Sequence, residues 1–150
     1  MLLGDLWSFI WKTTFERKIM SCSDAAVREI ANLWEQCWNE HHFEMMKDHI
    51  ASEAHWISVK GLHWRGRKEI LKVHNDLHKN QMLHSTWKNN QITCEILAPG
   101  VILAHIHWTI QNKTIDGVFE SERNGIFTWT LVKSSRGWFI SASQATNLTT

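Results

Sequence analysis

Val101-Ile-Leu-Ala-His-Ile-His-Trp-Thr-Ile-Gln111 alternates without a break. Ile102, Ala104, Ile106, Trp108 and Ile110 make one wholly apolar face, and Leu103, His105, His107 and Thr109 make the other. An extended chain points successive side chains to opposite faces, so a period of two predicts a β-strand with one side buried. Working outward, the same period predicts strands over 84–97, 101–111, 123–134 and 138–147. Pro99-Gly100 and Ser135-Arg136-Gly137 supply turns between them. The result is a four-strand meander.

Upstream the period becomes helical. Val27, Ile30, Ala31, Trp34, Cys37, Trp38 and His41 fall three and four apart, with Arg28, Glu29, Asn32, Glu35 and Asn39 on the other side. This spacing predicts an amphipathic helix of about four turns, with Ser23 as its N-cap. A shorter helix follows over 42–50, with Phe43, Met46 and Ile50 inward. Residues 55–59 alternate and are β-prone, and Gly61 ends that run. A third helix runs from 67 to about 83 after Gly66, with Ile70, Val73, His74, Leu77, His78 and Gln81 on one side. Helices first and a meander after give an α+β class, with helices packed on one face of a curved antiparallel sheet.

The 150 residues suit a single domain, assigned to 21–150, with 1–20 as a helical or flexible N-terminal extension. Lys plus Arg is 16 and Asp plus Glu is 15, which argues against a dedicated nucleic-acid surface. Three widely spaced cysteines fit neither a disulfide framework nor a zinc pattern, and they read as reduced thiols of a cytoplasmic protein, with Cys37 in the core. In the extension, Leu3, Trp7, Trp11 and Phe15 repeat every four residues, interrupted by Asp5 and Lys12. Such a short apolar stretch cannot span a bilayer. It also lacks the basic start and cleavage site of a signal peptide. It reads as a docking helix, as a segment on a membrane surface, or as an extension before a start at Met20.

Ten tryptophans stand beside no tyrosine. Indoles bury large areas and carry one N–H donor, so a flat apolar ligand is one reading and a heavy aromatic core the other. Trp34 and Trp38 lie one helical turn apart, Trp56 shares a strand face with Ser58, and Trp129 lies between Phe127 and Leu131 on its face. If they converge they form an aromatic cage, with Gln144 as a polar handle at its end. Trp138 reads as pure core. Histidines are the acid/base candidates, His107 and His74 foremost, because imidazole titrates near neutrality. His105 and His107 point to solvent or a dimer partner if their strand's apolar face meets the helices, and into the pocket if it does not. His74 and His78 have the i, i+4 spacing that can grip a metal, but no third ligand has matching spacing, so neither a metal nor a cofactor is assigned. His41-His42 reads as a solvated turn and Arg67 as a structural bond at the start of the third helix.

Local words carry a resemblance. They are Ala51-Ser-Glu-Ala-His-Trp56, then Gly61 through Gly66-Arg67-Lys68-Glu69-Ile70, and His74. After these come Leu97-Ala-Pro-Gly-Val-Ile-Leu-Ala104 running into His105–Trp108, then Arg136-Gly-Trp-Phe-Ile140 and Ser143-Gln144-Ala-Thr146. Their order over about residues 22–148 resembles the nuclear-transport-factor-2-like, cystatin-like superfamily, and within it the SnoaL-like proteins of the SgcJ/EcaC type. The resemblance implies a cone-like α+β barrel, often dimeric, with a pocket between the long helix, the third helix and the concave sheet face. It implies no one activity, since isomerases, cyclases, dehydratases and assembly domains share the scaffold. Where ketosteroid isomerases of the superfamily carry a carboxylate base, this chain has Ser58, which cannot serve as that base at neutral pH. SnoaL-like cyclases use an acidic residue, and Asp116 and Glu120 lie in a loop or edge. Three functions follow. One is a domain binding a small apolar or aromatic molecule, homodimeric through its sheet. The second is an isomerase, cyclase or hydratase with a histidine acid/base. The third is an interaction domain.

Overall fold

The computed structural model describes residues 25–149. The readings made for residues 1–20, Cys22 and Ser23 lie outside the described residues. Helix α1 spans Ala25–Asn39, a 3₁₀ segment spans Phe43–His49, and helix α2 spans Arg67–His78. The strands are β1 (Ile50–Ile57), β2 (His63–Arg65), β3 (Ser85–Ala98), β4 (Val101–Lys113), β5 (Phe119–Ser134) and β6 (Gly137–Asn147). They form one sheet in the order β2-β1-β6-β5-β4-β3. The β3–β6 meander is antiparallel, and β1 joins it parallel to β6. None of the described helices is long and apolar enough to cross a membrane.

The helices cover the face that the β4 alternation marks out. Ile102, Ala104, Ile106, Trp108 and Ile110 are all buried, and so are Phe127, Trp129 and Leu131 of the adjoining strand. The buried stripe of α1 (Val27, Ile30, Ala31, Trp34, Cys37 and Trp38) packs onto this face. Burial pushes the Cys37 thiol up to about 12, with the Glu40 carboxylate adding to the rise, so it stays an inert apolar filler. His105 and His107 therefore lie on the face turned away from the helices.

Three features differ from the sequence expectation. The third helix stops at His78 rather than near 83, because the Lys79 and Asn80 N–H groups turn back to Asp76 and Leu77 in a tightened last turn. The first strand begins at Ile50, five residues before the alternating run, and pairs with the short β2. Glu35 and Asn39, placed on the solvent side of α1, instead stitch that helix to the sheet's edge. The Asn39 amide both donates to Trp87 O (3.0 Å) and accepts from Trp87 N (2.8 Å), and a Glu35 carboxylate oxygen accepts Asn89 N at 2.7 Å. Backbone groups of an edge strand that would face water are satisfied by helix side chains.

One glycine is fixed by packing. Gly125 lies directly under the Trp108 indole, and a Cβ there would sit 2.0 Å from its ring. Gly125→Ala is expected to lower unfolding free energy by about 1–3 kcal/mol, as overpacking does. Combining it with Trp108→Leu should cost less than the two single changes added together, because the clash is removed. Urea unfolding of the four proteins checks this, and strict additivity would contradict the packing account.

Candidate functional site

A cavity of about 790 Å³ opens between the helices and the inner face of the sheet. Its floor is aromatic. Trp34 stacks on Trp56 with centroids 4.8 Å apart and planes 23° from parallel, and Trp87 lies 4.7 Å from both Trp38 and Trp108. Phe127 stacks on Trp87 at 5.3 Å. Some of these rings are anchored by their N–H groups: Trp38 Nε1 donates to Ser85 Oγ and Trp87 Nε1 to Asn89 Oδ1, both at 2.9 Å. The N–H groups of Trp34, Trp108 and Trp129 have no acceptor among the described residues, so packing alone holds those rings. The mouth is polar, with Lys60, His84, Lys113, Glu120, Arg123 and Asn147 around it.

Trp34, Trp38, Trp56, Ser58, His74 and His78, all singled out from sequence, line this space. Ser58 serves its own turn. Its hydroxyl accepts the N–H groups of Lys60 (3.3 Å) and Leu62 (3.2 Å), which shapes the loop after β1. Trp129 is fully buried behind the lining and packs on Trp34, Trp56 and Phe127. It supports the cage without facing the space.

Gln144 and His107 fall on the other face. Counting in twos from the buried Ile140 would turn Gln144 inward. A bulge intervenes, since Leu131 pairs with Ile140 but Thr130 pairs with Ala142. The extra residue reverses the phase of β6, so Ser143 and Ala145 point in and Gln144 is exposed. His107 is half-buried on the outer face with His105. Trp138, read as pure core, is half-buried at the strand end with Lys133 Nζ 5.7 Å from its ring centroid. Of the two loop carboxylates, Glu120 reaches the cavity mouth and Asp116 is exposed in the β4–β5 turn.

The two α2 histidines are held apart. His74 donates from Nδ1 to Ile70 O at 2.8 Å, which leaves Nε2 as the acceptor nitrogen. Burial pushes its pKa down to about 4, against a smaller upward effect of that bond. His78 meets His41 nitrogen to nitrogen at 2.8 Å. His41 is thus not the solvated turn residue its position suggests. Its left-handed backbone (φ 55°) after α1 carries the ring back onto His78. His78 is pushed down to about 3, by burial first and then by His41 and His74. Both α2 imidazoles are neutral at pH 7. No group of three or more His, Cys, Asp or Glu placed to hold a metal ion occurs among the described residues. Arg67 donates to the carbonyls of Lys47 (3.1 Å) and Ile50 (3.4 Å), tying the start of α2 to the 3₁₀ segment.

Sequence reading missed Trp87 and Arg123 as lining residues. The signal for Arg123 is its phase. It continues the inward series Gly125, Phe127, Trp129, Leu131 by one more step of two.

Solved structures share this architecture. A cystatin-like protein from Nostoc punctiforme superposes with a TM-score of 0.77 at 18% identity, covering 85% of this chain and 78% of its own. One from Caulobacter vibrioides gives 0.74 at 22% identity, covering 83% and 88%. A nuclear-transport-factor-2-like protein from Novosphingobium aromaticivorans gives 0.73 at 15% identity, covering 98% and 90%. The chain has the cystatin-like, nuclear-transport-factor-2-like fold. No protein-family model matches it, and a search of curated proteins found no relative.

The buried histidines make stability depend on pH. An unfolded histidine takes up a proton below about 6.5, whereas folded His74 and His78 resist it down to about 4 and about 3. The unfolded state then binds more protons, so stability is full above about 6.5 and falls as pH drops below it. Each histidine contributes up to about 1.4 kcal/mol per pH unit to the slope. Urea midpoints between pH 7.5 and 5 should fall, and His74→Gln should flatten the fall even though it also weakens the fold. An unchanged slope in His74→Gln would rule out this origin.

Proposed function

We propose that the protein binds a small molecule with a flat, apolar ring body in this cavity. The carrying observation is the array of Trp34, Trp38, Trp56, Trp87 and Trp108 around one space that the side chains of the described residues leave unfilled. Its volume lies in the range typical of small-molecule sites, which run roughly 300–1,000 Å³. The polar groups favour binding over proton transfer. A general base works best with a pKa near the working pH, and His74 lies well below that, so at neutral pH it accepts a hydrogen bond rather than storing a proton. Ser58 is committed to its turn.

Saturating 2-naphthol or indole should raise the melting temperature and shift tryptophan emission. A ligand at a hundred times its Kd contributes about 2.7 kcal/mol. Leu77→Trp, which projects an indole from α2 into the cavity, should abolish the response. If neither compound changes melting or emission at millimolar concentration, the cavity is not a ring-binding site.

We also propose that the outer sheet face pairs with a second copy of the chain. Val101, Val132 and Phe139 adjoin across three strands there, with Leu103 beside them, and Val132 is 40% exposed. An apolar patch repeated on two identical copies suits a two-fold contact. Light scattering should then give twice the chain mass, and Val132→Glu should give the single-chain mass with the fold retained. A monomer at high micromolar concentration would overturn the pairing.

A further inference from the structure

We infer that the cavity takes an amphipathic acid, whose ring body lies among the indoles and whose carboxylate pairs with Arg123. This rests on the ring-binding proposal and adds the charge of the ligand. Arg123 is the inward-facing residue that follows Gly125 in the β5 series, and it lines the cavity. A half-buried guanidinium needs compensation, because burial disfavours its charged form. The described residues supply little. Nη1 donates to Asn147 Oδ1 at 3.1 Å, and the group lies over the Trp108 ring at 5.5 Å. No carboxylate is within ion-pair reach of it among the described residues, and its strand neighbour Glu122 accepts from Gln111 Nε2 instead.

The rest of the lining agrees in sign. Lys60 and Lys113 stand at the mouth with Arg123, against one carboxylate, Glu120. The two histidines of the lining's α2 side are neutral and place no second charge deep in the cavity. Geometry selects a planar acid. Guanidinium carries five N–H donors in a fork, and only one is engaged by Asn147. The contact with Trp108 uses none of the N–H donors, so the donors not engaged by Asn147 remain for a carboxylate, which a guanidinium grips with two parallel bonds. The aromatic floor begins where Trp108 does, so the acid and the ring of one molecule are served by adjacent groups.

The test compares naphthalene-2-carboxylate with naphthalene-2-carboxamide, which has the same shape and no charge, by calorimetric titration of the whole chain. A charge-assisted contact predicts at least about tenfold tighter binding of the carboxylate at low salt. Arg123→Gln should bring the ratio of the two affinities close to one. Arg123→Lys, which keeps charge but not the fork, should leave a reduced preference. If Arg123→Gln does not fold, the wild-type ratio still decides. Equal binding of the two compounds would overturn the carboxylate pairing and leave ring binding standing. Binding of neither would overturn both.

Discussion

The contact on which the rest of the molecule depends is the stack of Trp34 on Trp56. Trp34 belongs to α1 and Trp56 to β1, and their indoles meet at 4.8 Å, nearly parallel. Around this pair the other elements arrive edge-on: Phe43 from the 3₁₀ segment at 5.0 Å, His74 from α2 at 5.1 Å and Phe127 from β5 at 5.4 Å. Each such pair contributes about 0.5–1.5 kcal/mol beyond the area it buries. One side chain thus joins both helices to the inner face of the sheet. It also fixes their spacing, because an indole is rigid and cannot be compressed. The helices are propped off the sheet by ring thickness, and the space beyond the prop is the cavity.

How much of this is legible in sequence follows from what each pattern reports. Alternation in β4 reports the buried face directly, because that strand has neighbours on both sides and its inner half never changes phase. The stripe of α1 is equally plain. Alternation fails where the backbone adds a residue. The bulge beside Ser141 turns Ser143 and Ala145 inward, and nothing in the local sequence marks it, since serine, alanine and glutamine suit either face. The parallel β1–β6 pairing is similarly hidden, as it joins segments some ninety residues apart through hydrogen bonds that carry no side-chain signature. Gln81 continues the helical spacing past the true end of α2, which the Asp76 and Leu77 carbonyls close.

The site divides the same way. Tryptophans announce an aromatic assembly, but burial separates lining from support only in three dimensions. Trp56 and Trp129 flank Ser143 of β6 in one sheet, and one meets the space while the other lies behind it. Histidine pairs mislead for a related reason. The i, i+4 spacing of His74 and His78 puts them on one side of α2, yet the first nitrogen partner of His74 is its own helix and that of His78 is His41. A backbone carbonyl four residues back lies within reach of a helical histidine in a suitable rotamer, as for His74, and it then competes with any ligand for Nδ1.

Gly125 explains why the cavity persists in a chain so rich in large rings. The eight indoles of the described residues could close a space of this size if they were free to pack into it. Trp108 is prevented from doing so, because its ring lies flat in the notch left by the missing side chain of Gly125. Arg123, two residues along the same face, then lies over that ring, 5.5 Å from its centroid. The glycine is therefore a spacing device. It draws one indole down into the sheet and leaves the volume above it open. It also sets a flat aromatic surface beneath the one inward-facing guanidinium of β5.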